Sequence, residues 1–368
     1  MPQPDRIDGA PHPRDALEIF GQDTAQSEFL DARSTGRLHH AWLLCGPRGV
    51  GKATLAWTIA RFLLTTPEPG DNGLFGAPDA PNSLHVAPDH PVARRIAAGS
   101  EPGLKAVTRT ANDKGDRLSA DIRVKDIRAL GQFFQLSAAD GGRRVVIVDA
   151  ADEMNTQAAN ALLKMLEEPP ERATLLLVSH QPSRLLPTIR SRCRTLRLNP
   201  LGPQDMARAF DQAGVHPEAS PEALAELSGG SVGDALRLSL LGGLDLYAEV
   251  IALLAALPRP DRPRGLRLAE AAAARGGEAR RDLLFALIDL ALARLARTGA
   301  AGAPPVVEAT PGEAEILARL APGQAQGRAW ANLSQEIGAR VRHGLSVNLD
   351  PAALVLDTLL RIQKTAAA

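Results

Sequence analysis

Cysteine is nearly missing: Cys45 and Cys193 are the two thiols in 368 residues. Two thiols so far apart cannot build a four-cysteine zinc site, and they offer no disulfide framework. Excess charge is missing too. Lysine plus arginine and aspartate plus glutamate both number 42, so net charge argues neither for nor against a nucleic-acid partner, and only local patches could. No apolar run reaches membrane-spanning length. Residues 1–13, rich in proline and polar side chains, lack the basic-then-apolar order of a secretory signal. Aromatics are 3% and lysine is scarce beside abundant alanine, arginine, glycine and proline, a bias of GC-rich coding rather than of function. These absences leave the expectation of a soluble cytoplasmic protein with no membrane partner. With 45% hydrophobic residues, size and composition allow a normal core in two or three domains.

What is present is an alternation of strand and helix signals. Residues 1–13 read as a flexible arm, and residues 16–30 carry apolar residues at helical spacing. A-W-L-L-C (41–45) is a short apolar run that ends in a glycine loop, which reads as a buried strand. Residues 54–64 continue as a helix with Leu55, Ile59, Phe62 and Leu63 on one face. Residues 66–90 read as an irregular insertion. A helix is expected over 121–134, a buried parallel strand at V-V-I-V-D (145–149), and a helix over 156–168 that Pro169-Pro170 stops. Further strands are expected at 174–178 and 195–198. The pattern predicts an α/β domain over 14–200 with a parallel sheet covered by helices on both faces. Beyond Pro200 the strand signals vanish. Three short helices are expected at 203–213, 221–227 and 233–240, giving a small helical domain over 201–242. An all-helical domain follows over 243–368, with amphipathic stretches at 282–295 and 351–362.

Chemistry is concentrated in residues 46–53, G-P-R-G-V-G-K-A. The pattern G-x-x-x-x-G-K-[ST] cradles phosphate with backbone N–H groups, neutralises it with the lysine, and uses the final hydroxyl to hold Mg²⁺. Strand and helix flank the motif as a phosphate loop requires. The hydroxyl slot holds Ala53, and Thr54 comes one place late. Loss of that oxygen weakens metal-dependent binding and catalysis but leaves the N–H cradle, so bound and absent nucleotide are both compatible with the residues. The candidate contacts for ATP or ADP are Gly46, Arg48, Gly49, Val50, Gly51, Lys52, Ala53 and Thr54. Asp149 ends the second strand, where an acidic residue orients Mg²⁺, often through water. The next position, Ala150, lacks the glutamate that polarises water in hydrolytic proteins. Asp152 and Glu153 follow as candidate substitutes.

The blocks N-A-L-L-K-M-L-E-E-P-P (160–170), R-L-L-P-T-I-R (184–190) with S-R-C (191–193), and G-R-L-H-H-A-W-L-L-C-G-P-R-G-V-G-K (36–52) resemble bacterial clamp-loader subunits of the AAA+ class. The resemblance covers most of 15–240. It implies an AAA+ P-loop domain, a small helical lid and an all-α collar domain. By residue type alone, Arg190, Arg192 and Arg194 read as surface ion-pair partners. The resemblance singles out Arg192 as a catalytic finger acting in trans on a neighbour's ATP. Ser179 matches the polar sensor of γ-phosphate, or is a plain strand-end cap. Gly233 stands where a second sensor arginine is usual, and Arg237 lies one turn later. Three parts of the chain's own site are therefore missing while the finger is kept. That favours a subunit without ATPase activity that serves its neighbour, over a gamma/tau-type motor using Lys52, Asp149 and Glu153. The implied partners are gamma/tau and delta subunits in a hetero-pentamer, a sliding clamp, and primed DNA reached through the assembled complex. Nothing resembles a polymerase active site. Many relatives carry a four-cysteine zinc module in the stretch matching 65–120, but here it has no cysteine, so no zinc is expected, and His85 and His90 read as loop residues. Arg94, Arg95, Lys105, Arg109, Lys114 and Arg117 could meet phosphates or simply solvate a loop.

Overall fold

The computed structural model describes residues 6–7, 9–66, 81–111, 118–135, 142–217 and 219–367. They fall into two compact units, one of residues 1–216 with 230–233, the other of 217–229 with 234–368. The first unit runs α1 (Asp23–Ser34), β1 (Ala41–Cys45), α2 (Lys52–Thr65), α3 (Pro91–Ala97), β2 (Leu104–Val107), α4 (Val124–Gln135), β3 (Arg144–Asp149), α5 (Thr156–Glu167), β4 (Ala173–Ser179), α6 (Pro187–Arg190), β5 (Arg194–Arg197) and α7 (Pro203–Ala213). The second holds α8 (Pro221–Ser228), most of α9 (Val232–Leu240), α10 (Gly243–Ala255), α11 (Arg262–Ala273), α12 (Glu278–Ala301), α13 (Glu313–Leu320), α14 (Gln324–Ser346) and α15 (Pro351–Ala367). Among the described residues no single helix is long and apolar enough to cross a membrane.

The five strands form one parallel sheet in the order β2-β3-β4-β1-β5. Its central strands are apolar along most of their length because both faces are covered. Trp42 and Leu44 of β1, Val145 and Ile147 of β3, and Leu176 and Val178 of β4 share one core with Phe29 of α1 and Leu55 and Ile59 of α2. Leu43, Val146, Val148, Leu175 and Leu177 share the other with Ile127 and Leu130 of α4, Leu162 and Leu166 of α5, and Ile189. Period-2 alternation thus survives inside the unbroken apolar runs as a choice of face. This is the α/β class with a parallel sheet and following helices that the sequence predicts.

The structure departs from the sequence expectations in several places. The helix expected from residue 16 starts only at Asp23. Gly21 takes φ +66 and would drive a Cβ to 2.9 Å from Asp205 Oδ2, so the chain turns there instead of winding. Within the stretch expected as an arm, Ala10 and His12 are buried, and the His12 ring meets Trp57 edge-on at 5.7 Å. The short helix α3 and the edge strand β2 were not expected. β2 pairs with β3, and its four residues are too short a run to signal a strand. The boundaries expected at 200 and 242 also differ from the two-unit division. Leu201 belongs to the sheet core, and α7 lies in the first unit. Helix α8 is bound by an arginine of the second unit.

That arginine is Arg294 on α12, fully buried. Its Nε donates to Glu313 Oε1 at 2.7 Å and its Nη2 to Glu313 Oε2 at 3.2 Å. Its Nη1 reaches Glu226 of α8 at 2.6 Å, and Nη2 also donates to the Val307 carbonyl at 2.9 Å. Glu313, also fully buried, accepts from the Tyr247 hydroxyl and from the Ala309 N–H at 2.8 Å. Burial first, and then the Glu313 carboxylate, push the Tyr247 phenol far above its ordinary range, so it stays a neutral donor. Removing one member of a buried, hydrogen-bonded pair leaves the other charge uncompensated. Arg294→Met is therefore expected to destabilise the second unit by about 3–5 kcal/mol. Urea denaturation should show Arg294→Met combined with Glu313→Gln recovering part of that loss, and full additivity of the two changes would argue against the pairing.

Candidate functional site

The loop between β1 and α2 is shaped by three glycines that other residues could not replace. Gly46 has φ +153, and a Cβ there would lie 2.4 Å from the Leu198 carbonyl oxygen. Gly51 has φ +96 and caps α2 without any side-chain hydrogen bond. The first N–H groups of a helix have no intrahelical partner, so α2 presents its donors and its positive dipole end to the loop interior. Gly49, with φ +76, accepts at its carbonyl from the Gly233 N–H at 3.0 Å. A Cβ on Gly49 would meet Ser231 Oγ at 2.1 Å, and one on Gly233 would meet Gly49 Cα at 3.0 Å. The backbone at 233 lies directly on the loop, so a side chain there would press on Gly49. Arg237, in the second unit, pairs with Asp234 at 3.4 Å. Val50 is buried, and its carbonyl accepts from Gln22 Nε2 at 3.2 Å. Gln22 also donates to the Asn199 carbonyl at 2.8 Å and accepts from the Asn199 N–H at 3.1 Å. This buried amide ties the loop to the segment after β5, and no motif in the sequence signals it.

Lys52 is 3% exposed. Its Nζ donates to the Gly46 carbonyl at 2.7 Å and to the Pro47 carbonyl. Burial lowers its pKa to about 8, against the opposing pull of Asp149 and then Asp152. Arg48 is exposed, and Ala53 and Thr54 are half-buried on the first turn of α2. The Thr54 carbonyl accepts from the Thr58 hydroxyl at 2.9 Å. Asp149 ends β3 in register with Val178. Ser179 ends β4 in register with Cys45, the residue before the loop. Ser179 is fully buried, and its Oγ has no hydrogen-bond partner among the described residues. The neighbouring His180 Nδ1 is likewise buried without one. Burial, followed by the Lys52 charge, lowers the His180 pKa to about 4, so its ring is neutral at pH 7.

The candidate substitute bases are engaged elsewhere. Asp152 accepts from the His180 N–H at 2.9 Å and the Gln181 N–H at 3.1 Å, and so fixes the turn after β4. Glu153 is ion-paired with Arg109 Nε at 2.7 Å. Mg²⁺ asks for near-octahedral oxygen donors. The slot for the usual hydroxyl holds the Ala53 methyl, and the carboxylates nearest in sequence to Asp149 are occupied by donors of their own. This donor set does not fit Mg²⁺. His90, at the end of the expected insertion, accepts at Nδ1 from the Val92 N–H at 3.2 Å and caps α3, while beyond it Arg95 pairs with Glu101 at 2.8 Å. Lys114 and Arg117 lie outside the described residues.

Arg192 stands on the turn between α6 and β5. Its Nη2 lies 3.0 Å from Glu167 Oε1, and its Nη1 donates to the Thr188 carbonyl at 3.1 Å. The two side chains are 37% and 50% exposed. The folded chain therefore brings together two of the three blocks that carry the resemblance, through Glu167 at the end of α5 and Arg192 of the S-R-C turn. The neighbouring Cys193 is half-buried against the core, and burial pushes its thiol up to about 12. The surface ion pair expected from residue type alone is present, on the same guanidinium that the resemblance singles out.

The lowered pKa of Lys52 has a consequence for stability. Between about 8 in the folded chain and the ordinary 10.5, the unfolded state binds more protons, so folding gains stability as pH rises through that window. The cost of burying the charge is fully present below pH 8. Lys52→Met is expected to raise unfolding free energy at pH 7 by up to about 3 kcal/mol, with the gain shrinking toward pH 10. Chemical denaturation at both pH values tests this, and an equal effect at each would contradict it.

Comparison with known proteins bears on residues 21–202, which match the family model described as DNA polymerase III, delta subunit. The chain is 40% identical over 215 residues to DNA polymerase III subunit delta' of Pseudomonas aeruginosa, an alignment covering 58% of this chain and 59% of the relative. It is 29% identical over 289 residues to DNA polymerase III subunit tau of Escherichia coli, covering 77% of this chain and 41% of the relative. The chain thus spans about half the length of the curated relatives it matches. Among solved structures it is similar to a DNA polymerase III, gamma subunit-related protein of Thermotoga maritima, at 17% identity and a TM-score of 0.44 over 94% of this chain and 99% of that one. Residues 21–202 are thus similar to the DNA polymerase III delta-subunit family.

Proposed function

We propose that the chain works as a delta-prime, stator-like subunit of the DNA polymerase III clamp loader. In this role it helps place a sliding clamp on primed DNA during replication, hydrolyses no ATP itself, and lends Arg192 to the ATP site of an adjacent subunit. Its partners are gamma/tau and delta subunits in a hetero-pentamer, with the helices beyond residue 242 contributing to a collar. The observation that carries this reading is the pairing of an incomplete site around Lys52 with a solvent-accessible guanidinium at Arg192. Ala53 supplies no hydroxyl, Ala150 no carboxylate, and Gly233 no guanidinium. Arg192 is held by a half-exposed glutamate, and such exposed pairs contribute about 1 kcal/mol or less. The guanidinium can therefore exchange Glu167 for a phosphate at little cost, and its planar fork suits phosphate oxygens. Glu167 keeps the arginine extended until that exchange.

A loader reconstituted with Arg192→Ala is expected to lose at least tenfold of its clamp- and DNA-stimulated ATP turnover, since arginine fingers contribute roughly 10³–10⁵ in GTPases. Arg192→Lys should recover little, because an ammonium lacks the fork. Unchanged turnover in both variants would sink the donor role. ATP hydrolysis by the purified chain alone at the loader's rate would instead support the gamma/tau-type motor reading.

A further inference from the structure

The groups around the loop are complementary to phosphate but not to the metal that usually accompanies it. We propose that this loop takes the phosphate chain of a nucleotide as a metal-free anion, held by the N–H groups opening α2, by Lys52 and by Ser179. The inference rests on reading residues 46–52 as a phosphate cradle and is independent of the role given to Arg192.

Three observations carry it. The cradle is intact, because Gly46 and Gly51 hold conformations that only glycine adopts freely, and α2, a 14-residue helix, opens without a side-chain cap. Second, a buried hydroxyl waits beside it. Ser179 is fully buried at the end of β4, level with Cys45, and its Oγ has no partner among the described residues. Leaving such a group unsatisfied is costly, so a ligand oxygen arriving there relieves a penalty that the free protein carries. Third, the metal side of the site is depleted to Asp149. Ala53 offers no oxygen, Asp152 is committed to two backbone N–H groups, and Glu153 to Arg109. Asp149 and Asp152 act instead on Lys52, where they favour its protonated form against burial. An Mg²⁺ ion bound to the phosphates would present its inner sphere to a methyl group, and Mg²⁺ gives up water only for well-placed oxygens. It would also cancel part of the negative charge to which the helix end and Lys52 are complementary. The uncomplexed polyphosphate keeps that charge.

Calorimetric titration of the full chain with ATP, and separately with inorganic triphosphate, in EDTA and in excess Mg²⁺ tests this. Both probes are expected to bind in EDTA at least as tightly as in Mg²⁺. Ser179→Ala should weaken binding in EDTA by about tenfold, with its unfolding midpoint unchanged or raised. Binding that tightens when Mg²⁺ is added, no binding in either buffer, or full affinity in Ser179→Ala would each overturn the proposal. Binding of ATP but not triphosphate would overturn it as well, because the base or sugar would then carry the recognition. If binding in EDTA fails while Arg192→Ala still slows the reconstituted loader, the donor reading stands and only the metal-free site falls.

Discussion

A lysine ammonium is buried where the parallel strands β1, β3 and β4 come to an end, and the geometry around it follows from holding that charge. Carbonyls of the loop accept from Lys52, so the loop must curl back on itself, and only glycines at 46 and 51 allow the curl. Carboxylates at the end of β3 and just after it offset part of the desolvation. The segment 230–233 closes against the loop at Gly49, and Gln22 fastens it from the other side. Each of these contacts limits what else the site can contain. The backbone at Gly233 lies against the loop, and Asp152 and Glu153 are each engaged by partners of their own.

The second unit treats charge differently. Arg294 and Glu313 are both fully buried, yet every strong donor and acceptor between them is answered by a carboxylate, a phenol or a backbone group. Satisfaction of that kind makes a buried pair tolerable and its partial removal damaging. Among the described residues, Ser179 Oγ and His180 Nδ1 at the end of β4 are buried without a hydrogen-bond partner. Unsatisfied polar atoms beside a phosphate loop mark a place where a ligand can improve the energy. The satisfied cluster around Arg294 marks a structural anchor.

Much of the fold was legible from the chain. The runs 41–45, 145–149 and 174–178 read as buried strands because a sheet covered on both faces needs apolar residues at every position. The helices after Pro200 were legible from proline at their starts and apolar spacing along them. The edge strand β2 was not, since its pairing comes from Val145–Val148 across the sheet and not from its own composition. The late start of α1 was equally hidden, because Gly21 turns the chain in response to the packing of α7.

The site divides in the same way. Sequence by itself singled out the phosphate-loop pattern at 46–53, the absent hydroxyl at Ala53 and the strand-end Asp149, because spacing along one stretch of backbone is enough to define each, while Ser179 and Arg192 stood out only through the resemblance. Tertiary structure alone decided that Asp152 caps the turn after β4, that Glu153 is tied to Arg109, that Gln22 braces Val50, and that Arg192 lies against Glu167. These pairings join residues far apart in the chain, and which partner satisfies a buried or charged group depends on distances that only the folded backbone sets.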